Sequence, residues 1–395
     1  MLMRILSMIL WLGCTVQIGS HCNGTQPTDS AALCTDIRSE GQCLPFEIGE
    51  VRISGSIDVS DSEVMDLCFT SDDELIVVTR AGEVSSCSIS QNQCVNMIEL
   101  DEGYWRLRAL SSDALVVWEP DENAEYRCYT RRGDLVWSYR CEGTVGMPII
   151  DGSSLLVPRK RPDGQSDVVV LHRDGQVSQT IDLGVRVLFD LLPSDIGVLV
   201  LDRHTAPQVL ARSEAGYILE PWMNGSLQGV ARNSTCDSAG RLVSLEMADT
   251  QLRIVDPTSA AVESVLVWGK EVDGQWQEEF PFPDYSMIAS NGETVAILQP
   301  NRLLKYADGQ LTVWIDNFNR LGFDLHMRDF VVDSPCSHFL VLEPDGMLVG
   351  GDQVQRLSFD GSVPVWNDFE FSPDRRTAAV GTSEGKVIII EMGAS

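Results

Sequence analysis

Residues 70–78 read TSDDELIVV, a polar turn anchored at Ser71 followed by an apolar run, and this cassette returns seven more times along the chain. The later copies are SSDALVVWE (anchored at Ser112), DGSSLLVP (Asp151), PSDIGVLVL (Ser194), DSAGRLVSL (Asp237), SNGETVAIL (Ser290), SPCSHFLVL (Ser334) and SPDRRTAAV (Ser372). Ser, Asp, Gly and Pro set the backbone of tight turns, and a short apolar run between turns has the length and composition of a buried strand. Successive anchors lie 41, 39, 43, 43, 53, 44 and 38 residues apart. One four-stranded antiparallel propeller blade uses roughly 40–45 residues. The fold expected from this spacing is all-β, a β-propeller of eight four-stranded blades, with seven blades as the alternative count.

A ring of blades must pair its last sheet. The stretch EVRISGSIDVS from Glu50 alternates apolar and polar residues as a half-exposed strand does, while GKVIIIEMG from Gly385 is a strand with no sequel. The N-terminal strand around residues 51–59 is therefore expected to complete the final blade and leave no open edge there. A second register runs through the tryptophans: Trp137, Trp222, Trp268, Trp314 and Trp366 each close a unit, in GDLVWSY, ILEPWM, ESVLVWG, GQLTVWI and GSVPVW. A large ring recurring at that place suits the wedge between neighbouring sheets.

The last unit, FEFSPDRRTAAVGTSEGKVIIIEM, resembles a WD-repeat blade, with the Ser-Pro-Asp turn, the apolar strand, the Gly-Thr-Ser-Glu-Gly hairpin and a β-branched strand in family order. Upstream, RRGDLVWSYRCEGTVGMPIIDGSSLLVP is similar to the blade repeat of quinoprotein-like propellers, with Gly133, Trp137, Pro148 and Gly152 at the matching places. The resemblance spans most of residues 50–393 and implies an architecture rather than an activity. The family's Trp-Asp dipeptide is absent. Propellers of the bacterial envelope are often assembly scaffolds, so the resemblance implies binding. Quinone-using relatives carry an adjacent Cys-Cys pair, and this chain has none.

A hydrophobic content of 44% with 22% charged residues is that of a folded protein. The N-terminus differs: MLMR precedes the apolar ILSMILWLGCTVQIG, which reads as a signal peptide over residues 1–20. A Cys-containing lead-in follows over 21–48, then a single propeller domain over 49–395. WLGC resembles a bacterial lipoprotein signal with Cys14 as the lipidated residue; cleavage near Ser20 is the other reading. No later stretch is apolar enough for a transmembrane span, so the expected location is extracellular or periplasmic, in the cell envelope, with or without a lipid anchor.

Of eleven cysteines, ten remain once Cys14 is set aside. Cys87 and Cys94 flank SISQNQ, and Cys128 and Cys141 flank YTRRGDLVWSYR. Both pairs are expected as hairpin disulfides, consistent with an oxidising compartment. The pairing of Cys22, Cys34, Cys43, Cys68, Cys236 and Cys336 does not follow from spacing.

The formal charge of −29 and pI near 4.4 disfavour nucleic acid and anionic membrane surfaces. Gly381-Thr-Ser383-Glu-Gly385 matches a nucleophile elbow in letters but precedes a β-branched strand instead of a helix. The five histidines, His21, His172, His204, His326 and His338, form no metal-binding pair; His326 sits where it could face the channel. No catalytic residue, metal site or cofactor is expected, although calcium between blades is compatible with oxygen ligands converging from separate units.

The 53-residue step contains an insertion, GKEVDGQWQEEFPFPDY over residues 269–285. Long loops on rigid scaffolds carry binding chemistry. Trp276, Phe280, Phe282 and Tyr285 are candidate aromatic anchors, and Glu278, Glu279 and Asp284 would attract a basic partner. The competing reading is a strap that packs its aromatics on the next blade. The functional expectation is a monomeric, exported, non-catalytic propeller that binds or scaffolds a protein, peptide or glycan. The alternative is a propeller enzyme, a quinoprotein-type oxidoreductase or a hydrolase, with its active site at the channel mouth.

Overall fold

A computed structural model describes residues 42–184, 190–194, 197–201, 208–222, 234–237, 240–246, 251–256, 259, 261–268, 270–272, 275–277, 286–299, 302–316, 329–343, 346–351, 353–364 and 369–394. Eight blades, each built on four antiparallel strands, follow one another, with Thr144–Val145 added to the sheet of blade 3, and among the described residues there is no helix. Blades 1 to 7 occupy residues 64–99, 106–140, 149–182, 190–221, 234–266, 287–316 and 329–358. Blade 8 combines residues 370–394 with the N-terminal strand Ile48–Asp58. The first strands of blades 1 and 2, of blades 3 to 7 in succession, and of blades 8 and 1 touch one another, and apolar clusters join blade 2 to blade 3 and blade 7 to blade 8, so the ring is closed.

The apolar runs of the repeated cassette become second strands buried on both faces, as in Glu74–Thr79 and Phe339–Glu343. The outer strands alternate, because only one of their faces meets a neighbouring blade. Apolar clusters span the blade interfaces: Leu156, Val168 and Val170 of blade 3 pack against Leu191, Val198 and Leu210 of blade 4. Trp137, Trp222 and Trp268 are buried. The Trp137 indole Nε1 donates to the Arg173 carbonyl of blade 3 at 2.7 Å, and Trp314 meets Phe339 of blade 7 edge-on at 5.4 Å between ring centroids. These four act as interface rings; Trp366 lies outside the described residues.

Closure occurs as the sequence implies. Ile48–Asp58 runs antiparallel to Lys386–Ala394, with Val51 opposite Met392 and Asp58 opposite Lys386. The chain engages the ring slightly earlier than the sequence boundary suggests. Gln42–Cys43 lies parallel to Asp329–Val332 as a fifth strand on the inner edge of blade 7. The Leu44 amide continues this pairing to the Val332 carbonyl at 2.8 Å, and Leu44 and Ile48 are fully buried between blades 7 and 8.

Two buried aspartates tie adjacent inner strands. Asp66 Oδ1 accepts its neighbour's Leu67 amide at 3.0 Å, while Oδ2 accepts the Leu107 amide of blade 2 at 3.0 Å. Asp329 repeats the device with the Phe330 amide and the Phe369 amide of blade 8, each at 2.7 Å. A carboxylate bridging two main-chain donors satisfies groups that the curvature of the ring would leave unpaired.

The disulfide expectation divides. Cys87 and Cys94 are direct cross-strand partners, 4.0 Å apart at Cα, and are bonded. Cys128 and Cys141 are both free and buried, which corrects the second expected bridge. Gly133, with φ near +84°, tightens the turn so that Cys128 lies opposite Trp137; the Cys141 amide instead bonds the Ala124 carbonyl at 2.8 Å. The two thiols are thus displaced by four residues along the hairpin, about 13 Å at strand rise, beyond the roughly 7 Å that a disulfide can span. Burial pushes both thiols from 9.0 up to about 11, and drives Cys68 well above its ordinary value.

Maleimide labelling of the folded protein should leave Cys68, Cys128 and Cys141 unmodified, and unfolding should expose them. Because their folded pKa values are raised, Cys128 and Cys141 cost nothing below pH 9, and stability should fall as pH rises from there toward 11, where the unfolded thiols ionise first. Rapid labelling of Cys128 in the native state would refute the buried assignment. In urea titrations, Asp329→Ala should cost about 2–3 kcal/mol by stranding buried amides. Arg52→Ala, which removes an exposed pair with Glu391, should cost under about 1 kcal/mol.

Candidate functional site

Antiparallel alternation places the first and third turns of every blade on one disc face, and the second turns and inter-blade connections on the other. On the first face, between blades 3 and 4, an open groove of about 480 Å³ is lined by residues that include Asp151, Ser153, His172, Gln179, Arg212 and Tyr217. Asp151 ends the inner strand Ile149–Asp151 of blade 3, and Arg212 and Tyr217 flank the tight turn between the third and outer strands of blade 4.

The polar side chains of this groove are locked to one another. The Arg212 guanidinium grips Asp151 through Nε at 2.7 Å and also through Nη2, and the Tyr217 hydroxyl donates to Asp151 Oδ2 at 2.7 Å. The Gln179 amide brackets the Tyr217 backbone, accepting from its N–H at 2.8 Å and donating to its carbonyl at 2.7 Å. Two glycines make room. A Cβ on Gly152 (φ +62°) would lie 2.8 Å from Arg212 Nη2, and one on Gly216 (φ +120°) would lie 2.6 Å from Gln179 Oε1.

Burial pushes Asp151 upward, but hydrogen bonds from Arg212 and Tyr217 and the Arg212 charge outweigh it, so the carboxyl sits below its ordinary value. Burial and the hydrogen bond to Asp151 raise the Tyr217 phenol. The network is a charged pair and a neutral phenol at pH 7, preorganised to present donors and acceptors. At the same groove, the His172 imidazole and the Glu214 carboxylate are exposed and have no bonding partner among the described residues.

A second polar cluster has the letters of a hydrolytic triad without its geometry. Fully buried Asp333 holds His338 Nδ1 at 2.9 Å, but Ser337 Oγ lies 3.0 Å from that same nitrogen and donates to Asp333 at 2.9 Å. A nucleophile would have to face Nε2. Asp333 also accepts the Ser337 and His338 amides at 2.6 and 2.9 Å and the Ile48 amide at 3.3 Å. The cluster clasps the first turn of blade 7 onto the entering N-terminal strand.

The insertion expected to carry binding lies in the connection from blade 5 to blade 6, on the second-turn side. Lys270–Val272 and Gln275–Gln277 pair antiparallel as a separate two-stranded sheet, with Trp276 opposite Glu271. Glu278, Glu279, Phe280, Phe282, Asp284 and Tyr285 lie outside the described residues, as do Cys14, residues 1–41 and His326. Among the described residues, no group of three His, Cys, Asp or Glu side chains is placed to hold a metal.

Sequence reasoning passed over the groove and the bridging aspartates. The aspartates did leave a trace: VMDLCF and MRDFVV place Asp66 and Asp329 ahead of an apolar residue shortly before the turn, and LFDLLP and WNDFEF repeat the pattern.

No family model and no curated protein matches the chain. Solved structures do. The computationally designed Ika8 protein aligns at a TM-score of 0.59 with 11% identity, covering 85% of this chain and 98% of its own. BamB from Moraxella catarrhalis aligns at 0.58 with 12% identity, covering 87% and 98%. The C-terminal WD40 domain of Sif2 aligns at 0.53 with 11% identity, covering 88% and 99%. At such identities the likeness is one of fold alone.

Proposed function

We propose that this chain is an exported, non-catalytic propeller that acts as a binding or scaffold module, with the insertion between blades 5 and 6 as its contact for a basic protein or peptide. The observation that carries this reading is the hairpin of Lys270–Val272 and Gln275–Gln277. Blades 5 and 6 each have their full four strands without it, so the ring has no need of these residues. The composition of the whole insertion over residues 269–285, aromatic and acidic, is that of an interface anchor with a preferred partner charge. A rigid disc supports such a role, because a loop fixed at both ends by complete sheets loses less freedom on binding. The resemblance to envelope propellers, the signal-like N-terminus and the Cys87–Cys94 bridge all support export, to the periplasm or cell exterior.

The test is a photo-crosslinking amino acid placed at Trp276 in the native host, with one at exposed Val95 as control, beside the double variant Trp276→Ala/Phe282→Ala. Crosslinks to a partner from position 276 and not from position 95, with a double variant that no longer captures that partner yet melts as the parent does, are the expected result. A sharply lowered melting temperature with no crosslinks would make the insertion a packing strap.

A further inference from the structure

We propose that the groove between blades 3 and 4 is a second binding site, for an uncharged saccharide. It lies on the disc face opposite the inter-blade connection that bears the hairpin, so it stands or falls independently of the proposal above.

The size fits: about 480 Å³ is within the roughly 300–1,000 Å³ of small-molecule sites. The chemistry narrows the class. Asp151 and Arg212 neutralise each other within one hydrogen-bonded unit, so the wall offers fixed donors and acceptors with little net charge. Exposed Glu214, in a chain carrying −29 overall, disfavours an anion, while one exposed carboxylate with no second one free beside it makes a weak cation site. A ligand that both donates and accepts at many points, without charge, is a polyhydroxyl compound. His172 on blade 3 and Glu214 on blade 4 supply the uncommitted polar groups for its hydroxyls.

Preorganisation distinguishes this groove from an ordinary crevice between blades. Arg212, Tyr217 and Gln179 are already held in place, and glycines stand where a Cβ would displace two of them. Little side-chain entropy is then lost on binding.

The experiment uses saturation-transfer NMR and calorimetry on the full chain with cellotriose, maltotriose, chitotriose and lactose, and with sialyllactose as the charged counterpart. At least one neutral sugar should bind, and sialyllactose more weakly. His172→Ala and Glu214→Ala each leave the Asp151–Arg212–Tyr217 unit intact, and each should weaken binding by about tenfold, the equivalent of one or two hydrogen bonds. Ser153→Trp should block the groove, and all three variants should melt as the parent does. Absence of binding by every neutral sugar, equal or tighter binding of sialyllactose, or affinity unchanged in all three variants would overturn the assignment.

Discussion

The pairing of Ile48–Asp58 with Lys386–Ala394 is the contact on which the other interfaces depend. Each blade is a sheet with two apolar faces, and an isolated sheet can bury neither without a neighbour. In a closed ring every face finds one. Blade 8 shows the consequence on both sides: Phe369, Val380 and Ile390 pack with Leu340 and Met347 of blade 7, while Ala379, Val387 and Ile389 pack with Val64, Leu67 and Val77 of blade 1. Fully burying one such side chain is worth roughly 1.5–3 kcal/mol, so an unpaired outer strand would endanger two interfaces at once. The entropy of joining distant ends grows only as the logarithm of loop length, which is why a contact spanning nearly the whole chain is affordable. The same non-locality predicts slow assembly, as in other folds of high contact order.

Polar groups then fix how the apolar wedges sit against one another. At the inner ring, Asp66 and Asp329 lock backbone to backbone across a blade boundary. On the face of the first and third turns, a series of links joins neighbours: Glu74 with Arg131, Asp151 with Arg212, the Asn291 amide with the Ser334 carbonyl at 2.5 Å, and the Asp374 amide with Asp72 at 3.0 Å. Exposed members of this series add little energy individually. Their effect is on angle and register, which keeps the disc a fixed platform. Inside the blades, the fork of Arg159 on fully buried Asp167, at 2.8 and 2.7 Å, shows the other regime, in which a buried charge is tolerated because both its oxygens are paired.

That rigidity connects the two proposed sites. A groove whose side chains are held by one another is built into the boundary between two blades, and a hairpin is carried between two complete sheets. Neither requires the ring to move, so both fit a protein that presents fixed surfaces.

The repeat, the blade number and the closing strand were all readable in the sequence, because turn chemistry and apolar periodicity are short-range properties that a chain displays in order. The Cys87–Cys94 bridge was readable for the same reason, its residues being symmetric about one tight turn. Cys128 and Cys141 look equally symmetric in letters, yet the turn at Gly133 shifted the register and sent them to different levels of the hairpin. The groove left no linear signature at all. Asp151, Gln179, Arg212 and Tyr217 come from two units and meet only because the ring sets blade 4 against blade 3 at one angle. Local sequence determines which residues turn and which extend; which side chains then face each other across a blade boundary is decided by the curvature of the closed ring, a property of all eight blades together.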